Sequence, residues 1–380
     1  MLKYYSKYNE VTFGKNEVIK KINKTQNGIN FDLNSVPTFN KIKEEPNLNT
    51  LYSEIKDKKI IYVGESHTNF SHHLNQLRVV KLLHEKGKDV SIAMEMFQKP
   101  FQKDIDDYIQ GKTTLNEFLE KSQYYKRWKF DYNLYKPILD YARQNNIKVV
   151  ALNIDRSITQ QVSKKGLFSL SDKQKELLPK TIDQSNLSYK KNLDLIFKEH
   201  IPENNKTNKH IMPKINLDFF YQSQLIWDEI MAENIYEYVK NNKEKVLVVI
   251  VGFGHIKEHD GIPSRVYKKN RLPFSVLLND ANTSKNGDII INNKTKTKIN
   301  SQNKLGIYLK NTTELIATNT VKNSFSNKIG VLKGDLILKL NSTKVKSLYD
   351  LKRFLYFVDN LNNVKITVKR KGETLRLPIK

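Results

Sequence analysis

The sequence predicts an α/β protein: a mainly parallel sheet flanked by helices, with a helical insertion, followed by a small separate α+β module. Three observations carry this expectation. Short apolar runs rich in β-branched residues alternate with helix-length stretches between about positions 60 and 280, which is how successive βαβ units read. After Asn279 the composition shifts to Asn, Lys and Thr and includes Asn286-Gly287, a turn or linker signal. Beyond 304 strand-like runs resume around one helix.

Up to about Thr50 single hydrophobics recur without a sustained period, so 1–50 reads as an N-terminal extension. The α/β domain then occupies 51–280. Its first strand, 60–63, runs Ile60-Ile61-Tyr62-Val63 and stops at Gly64; a helix over 71–86 follows, closed by Gly87. A second strand is expected at 90–96. Helical patterns come at 101–110 and 115–121, then an aromatic segment, 124–135, then a helix at 137–144 with Pro137 in its first turn. The third strand, 148–152, ends in Asn153-Ile154-Asp155-Arg156. Residues 157–216 are polar and mostly helical, broken by Pro179, Pro202 and Pro213, and form the insertion. A long amphipathic helix, 217–240, precedes the most apolar strand, 245–251, which ends in Gly252-Phe253-Gly254-His255. A strand at 274–278 completes the sheet. Residues 281–303 are the linker. In the module, 304–380, strands are expected at 305–309, 336–340, 364–369 and 375–379, with a helix at 348–358.

A formal charge of +25 would ordinarily suggest nucleic acid or an anionic membrane surface. Only nine of the 65 basic residues are arginines, and the lysines are scattered rather than gathered in a stripe. Phosphate and base readout lean on arginine forks, so a solvated basic surface is expected and no nucleic-acid partner. The chain has no cysteine, which excludes disulfides, thiolate nucleophiles and thiolate-held zinc or iron–sulfur sites. No apolar run reaches transmembrane length, and residues 1–21 show no signal-peptide core. As written, the chain is expected in the cytoplasm; a start processed from a longer precursor would instead place it in the cell envelope.

Four strand ends carry polar groups: Glu65 and His67, Glu95, Asn153 with Asp155 and Arg156, and His255. In a parallel sheet all four lie on the carboxyl edge, where such folds bind ligands. A lone His67 would read as a core histidine; Glu65 in the same turn, just past an apolar strand, shifts the reading to function. Glu95 reads equally as a functional carboxylate and as a structural one that caps the next helix or pairs with a lysine. Asp155 and Arg156 read first as an ordinary ion pair. His255 lies beside Gly254 and Gly252, which suggest close backbone approach. His72 and Gln76 share a helix face, while His73 reads as core. Gln224 and Asp228, one turn apart, read either into the crevice or as a solvated helix face. Tyr124, Tyr125, Trp128, Tyr132 and Tyr135 read as core or lid lining. Three chemistries remain open. Glu65, His67, Glu95 and His255 can hold a divalent ion that activates water. Imidazoles or a tyrosinate can be axial ligands to haem iron. His67 can act as a metal-free base oriented by Glu65. No Gly-x-Ser-x-Gly elbow and no P-loop is present.

Gly64-Glu65-Ser66-His67 with His72-His73 and Gln76, then Met94-Glu95-Met96-Phe97, resembles the ChaN-like haem-binding uptake proteins. So do Tyr135-Lys136-Pro137, Asn153-Ile154-Asp155-Arg156, the stretch from Gln224 to Ala232, Gly252-Phe253-Gly254-His255 and Gly261-Ile262-Pro263-Ser264-Arg265. That superfamily includes Tiki-type metalloproteases and erythromycin esterases. The resemblance spans about residues 50–280. It implies haem or iron acquisition, with His67, His72, His73, Tyr135, Arg156 and His255 as candidate haem-binding residues; the alternative is a metal- or His-dependent hydrolase using His67, Glu65, Glu95 and His255. Family members are often envelope lipoproteins, but this chain has no cysteine to lipidate. The module resembles a PDZ domain of the bacterial protease type. Leu305-Gly306-Ile307-Tyr308 would be its carboxylate-binding loop and strand, and 329–338 the turn and strand that follow. The expected partners are haem or another small ligand, the C-terminal peptide of a protein, and a second copy of the chain in a homodimer.

Overall fold

The computed structural model describes residues 38–40, 48–199, 216–280, 287–292, 304–311 and 314–377. Most of the extension, most of the linker, and Pro202 and Pro213 lie outside the described residues. The chain divides between Ile299 and Asn300 into two compact units, taken here in turn.

The first unit is built on seven strands: β1 (Thr38–Asn40), β2 (Ile60–Glu65), β3 (Val90–Gln98), β4 (Val149–Asn153), β5 (Val246–Gly252), β6 (Phe274–Asn279) and β7 (Ile289–Asn292). Their order across the sheet is β1-β7-β6-β2-β5-β3-β4. From β7 to β4 the neighbours are parallel; β1 runs antiparallel to β7 at the edge. The helices are α1 (Leu48–Ile55), α2 (Phe70–Glu85), α3 (Gln102–Ile109), α4 (Leu115–Lys121), α5 (Tyr124–Arg127), α6 (Lys136–Gln144), α7 (Arg156–Lys165), α8 (Asp172–Lys175), α9 (Leu187–Glu199), α10 (Leu217–Asn241) and α11 (Ile262–Asn270). Two differences from the sequence reading stand out. β7 lies in the stretch read as linker and β1 in the stretch read as extension. Both are short, and they form by pairing at the sheet edge, β7 with β6 and β1 with β7, which local composition does not report.

β5 is buried throughout, as a central parallel strand covered on both faces must be. Each fully buried Val, Leu or Ile there contributes roughly 1.5–3 kcal/mol. Helix α2 carries an unusual load of buried polar residues, and they serve the strand ends. Gln76 donates to the Val63 carbonyl at 2.9 Å, and Asn279 donates to the Gly64 carbonyl at 2.8 Å while accepting from Asn75 at 2.7 Å. The backbone carbonyls at the end of β2 are thus satisfied by side chains where the ladder stops. Asn69 caps α2, and Gly87 at φ +79 ends it in the left-handed region. The insertion packs on α10 through two apolar clusters. Ile154, Ile158, Val162, Leu170, Ile226 and Ile230 form one. Tyr189, Leu193, Tyr221 and Leu225 form the other.

The second unit is an antiparallel sheet of β8 (Ile307–Asn311), β9 (Leu315–Thr320), β10 (Leu336–Leu340), β11 (Thr343–Lys344), β12 (Ile366–Arg370) and β13 (Glu373–Arg376), with α12 (Phe325–Lys328) and α13 (Leu348–Tyr356). The order is β13-β12-β10-β9-β8, with β11 on β10. The turn into β10 is held by Asp335, which accepts two hydrogen bonds from Arg370 at 2.7 Å each and one from the Leu332 N–H at 2.9 Å.

Candidate functional site

The sheet order explains why distant residues meet. β5 lies between β2 and β3, and Glu65 is registered against Gly252. The ends of three adjacent strands therefore deliver Glu65, Glu95 and the Gly252–His255 turn to one spot on the carboxyl edge.

His67 lies just past β2. Its Nδ1–H donates to Glu65 Oε1 at 2.6 Å, which places the lone pair of the neutral ring on Nε2. Nε2 has no hydrogen-bond partner among the described residues, and the side chain is 28% exposed. The ring is walled by Trp128 at 4.7 Å and Phe130 at 4.9 Å between centroids. A Cβ on Gly252 would come within 3.1 Å of His67 Cε1, so this glycine lets the imidazole lie against the end of β5. Burial pulls the His67 pKa down, but the Glu65 carboxylate and its hydrogen bond, with Glu95 beyond, raise it on balance. Glu65 is buried; its Oε1 also receives the Tyr135 hydroxyl at 3.3 Å, and its Oε2 has no hydrogen-bond partner among the described residues.

His255 is held differently. Its Nδ1–H donates to Asp228 Oδ1 at 2.5 Å, and Nε2 lies 3.6 Å from Glu95 Oε1. Glu95 Oε2 accepts the Gly252 N–H at 2.7 Å. Burial alone would lower the His255 pKa, yet Asp228 and then Glu95 raise it well above the usual value, which favours the cationic ring. Burial opposes ionisation of Glu95 as well, but the His255 charge and hydrogen bonding bring its pKa down to about 2. Trp227 lies 5.5 Å from the His255 ring. Phe253, within the same turn, is half exposed at 51%.

Other predicted residues are placed elsewhere. His72 accepts the Ser66 N–H at Nδ1 and faces Asp280 at 3.0 Å through Nε2, so it pins the loop after β2 to the end of β6. His73 is buried with Nδ1 3.0 Å from Gln76 Oε1 and Nε2 3.3 Å from the His67 carbonyl. Both nitrogens of each ring are engaged by protein, so neither offers one to a cofactor. Tyr135 is fully buried behind Glu65 against the His73 ring, and burial, then Glu65, push its pKa well above normal. A tyrosinate ligand at this position is therefore disfavoured. Asp155 pairs with Arg127 at 2.8 Å and caps α7, rather than pairing with Arg156. Arg156 donates to the Arg127 carbonyl at 3.2 Å, bracing the segment that carries Trp128 and Phe130. Of the aromatic segment, Tyr124, Tyr125, Tyr132 and Tyr135 are core, whereas Trp128 lines the site. Gln224 is partly exposed, but Asp228 on the same helix is buried in the site. Among the described residues no group of three or more of His, Asp and Glu is arranged to hold a metal ion. The carboxylates of Glu65 and Glu95 turn to the imidazole N–H groups and to Gly252 N instead of a common centre.

In the second unit Leu305 and Ile307 are buried and Tyr308 is exposed. Gly306 has φ +73 and accepts from Val321 N–H at 2.9 Å and Ser324 Oγ at 3.3 Å; a Cβ there would meet Ser324 Cβ at 2.3 Å. Leu305-Gly306 is thus a fixed loop leading into β8, the last strand of the order.

A parallel sheet with paired carboxylates and imidazoles at its carboxyl edge, followed by a PDZ-type sheet, defines the class. Residues 51–266 match the profile described as haem-binding uptake, Tiki superfamily, ChaN, and the chain belongs to that family. Residues 303–380 match the PDZ domain, and the second unit is one. The fold is also that of a solved ChaN of Campylobacter jejuni, described by its cofacial haem binding. That structure is 18% identical with a TM-score of 0.53, over 68% of this chain and 96% of that one. A solved erythromycin esterase mutant, EreC in its open conformation, is 12% identical with a TM-score of 0.38, over 61% and 72% of the two chains. Protein RETICULATA-RELATED 5, chloroplastic, of Arabidopsis thaliana is 22% identical over 231 residues, 58% of this chain. The chain spans only 30% of that relative's length.

Proposed function

We propose that the crevice binds haem, with His67 as the axial ligand, in a protein whose PDZ domain takes a peptide carboxyl terminus. The observation that carries the haem reading is the state of the His67 ring. Glu65 fixes its Nδ1–H, which leaves the Nε2 of a part-exposed ring without a hydrogen-bond partner among the described residues, and orienting partners of this kind are what metal-ligating imidazoles have. The surroundings fit a flat apolar group with anionic edges. Trp128, Phe130 and the half-exposed Phe253 supply the apolar surface. Arg156, beside Lys129, supplies positive charge next to that wall. When bound, haem supplies an iron that binds and exchanges further ligands. The chain's own part is to hold the ring, fix the tautomer and shield one face from water. His72, His73 and Tyr135 act behind this as braces.

The test is a haem titration of the full chain. A Soret band that shifts and saturates at fixed stoichiometry, and that is lost in His67→Ala, supports the reading. No saturable band, or an unchanged one in His67→Ala, sinks it.

One observation favours a second reading, a His-dependent hydrolase. The Asp228–His255–Glu95 set holds a part-buried imidazole between two carboxylates beside the carboxylate-oriented His67. In its neutral form His67 can take a proton at Nε2 from a water whose oxygen attacks an ester carbonyl and return that proton to the leaving alkoxide as the carbon–oxygen bond breaks, while a cationic His255 offsets the charge of the intermediate oxyanion. Ester turnover that vanishes in both His67→Ala and His255→Ala, without haem, would favour it. For the PDZ domain, β8 is the end of the sheet order and Leu305, Gly306, Ile307 and Tyr308 form the loop and strand that would receive the added peptide. Fluorescence anisotropy should then separate a free C-terminal peptide from its C-terminal amide.

A further inference from the structure

Helix α9 belongs to the insertion, and its contacts converge on the turn that carries His255. Tyr189 is buried and donates its hydroxyl to Asp228 Oδ2 at 2.7 Å. The other oxygen of the same carboxylate receives His255 Nδ1–H at 2.5 Å. Just before the helix, Asn186 donates to Asp260 Oδ1 at 3.0 Å. Further along, Asn192 donates to Glu258 Oε2 and Asp260 Oδ2 at 3.2 Å each. Glu258 and His259 have φ of 57 and 60, a conformation that residues with a Cβ hold only when their surroundings impose it. Below them the space is already filled: a Cβ on Gly261 would lie 2.1 Å from the His255 carbonyl oxygen and 2.9 Å from Asp228 Oδ2. Tyr189 is in turn fixed by Arg265, whose guanidinium lies 4.6 Å over its ring and pairs with Glu229 at 2.9 Å.

We propose that Tyr189 is a positioning residue for His255: by holding Asp228 from the side opposite the imidazole, it makes the docked insertion helix a component of the site. The inference is independent of whether the crevice serves haem or hydrolysis. A buried carboxylate offers several lone-pair directions, and with one donor it can rotate about its own axis. A second donor on the other oxygen removes that freedom. Asp228 then presents one fixed acceptor to Nδ1, and the imidazole plane is set with it. Without the hydroxyl, Oδ2 would be buried with no donor from α9, a costly state that the carboxylate relieves by turning. The other titratable groups that face His255 are Glu95 from β3 and His67 from the loop after β2, and Arg265 on α11 acts electrostatically on Asp228.

Tyr189→Phe keeps the ring and its packing and removes only the hydroxyl. In the full chain, a proton between His255 Nδ1 and Asp228 gives a low-field resonance, identified by its loss in His255→Gln. The expected result in Tyr189→Phe is that this resonance moves or broadens away and that amide exchange over 255–261 quickens. The corresponding His67 Nδ1 proton on Glu65 should stay where it is. An unchanged His255 resonance overturns the proposal. Loss of both resonances together also overturns it, because Tyr189 would then support the core and not His255 in particular. Leu193→Ala loosens α9 with the phenol intact. It should speed exchange in α9 and weaken the same resonance, and faster exchange with an unaltered resonance would show that the site does not depend on the docked helix.

Discussion

The two imidazoles of the site are held in opposite ways. His67 meets one carboxylate, two residues away in its own turn, and keeps a nitrogen for something outside the protein. His255 meets two carboxylates brought from β3 and α10, and both its nitrogens face them. The first arrangement presents a lone pair. The second fixes a charge. A site that needs both has one group to bind a ligand or accept a proton and another whose cationic form is favoured and held in place.

The largest test of that contrast is to remove the distant carboxylate. Asp228→Ala leaves the His255 cation and the Tyr189 hydroxyl without their acceptor, and stripping one partner from a buried pair costs about 3–5 kcal/mol. Urea denaturation should show the loss as a lower midpoint. Glu65→Ala, by contrast, leaves a neutral and partly exposed His67 and should lose clearly less. Equal losses would erase the distinction between the two rings.

The second test is pH. Glu95 has its pKa brought from 4.5 down to about 2 in the folded chain. Its contribution is present above about pH 4.5 and is lost as the pH falls toward 2. By linkage it is on the order of 3 kcal/mol. His255 is raised well above 6.5, so its contribution is complete below that value and fades as pH rises through its folded pKa. The pair therefore stabilises most between these limits. Glu95→Gln should flatten the acid limb of a stability–pH curve, and an unchanged limb would assign acid sensitivity to other carboxylates.

A third effect is steric. Gly261→Ala puts a methyl where the His255 carbonyl already lies, and overpacking of this kind costs about 1–3 kcal/mol. The His255 turn must shift, while the His67 side should be untouched. Histidine ring resonances distinguish the two.

What could be read from the chain follows the same division. The βαβ alternation and the Glu65–His67 pair were legible because strand, turn and both site residues are contiguous. Glu95 and His255 were legible as strand ends, once the sheet was taken to be parallel. Asp228 was ambiguous, since a carboxylate on an amphipathic helix looks the same whether it faces solvent or the crevice; only the packing of α10 against the sheet decides. Tyr189 carried no signal at all, being one aromatic in a polar insertion whose docking is set by tertiary contacts. β1 and β7 escaped for a related reason, because a strand of three or four residues exists through its neighbour. His72 and His73, read as candidate ligands beside the site, have ring nitrogens facing Ser66 N–H and Asp280, and Gln76 and the His67 carbonyl, contacts that residue type and spacing alone do not show.

The smallest expected effect concerns that bracing. Tyr135 reaches Glu65 Oε1 at 3.3 Å, a long hydrogen bond to a carboxylate already committed to His67 at 2.6 Å. Its ring, not its hydroxyl, does the packing, against His73 at 4.4 Å and Trp128 at 6.3 Å between centroids. Tyr135→Phe should therefore cost only about 0.5–1.5 kcal/mol, the usual net value of one hydrogen bond. If Tyr135 is a brace, haem affinity in this variant should stay within about twofold of the parent, since affinity changes tenfold only for 1.4 kcal/mol. A tyrosinate ligand would instead be exposed by loss of the Soret shift, which would move the axial role from His67 to a buried phenol and reverse the comparison of the two rings.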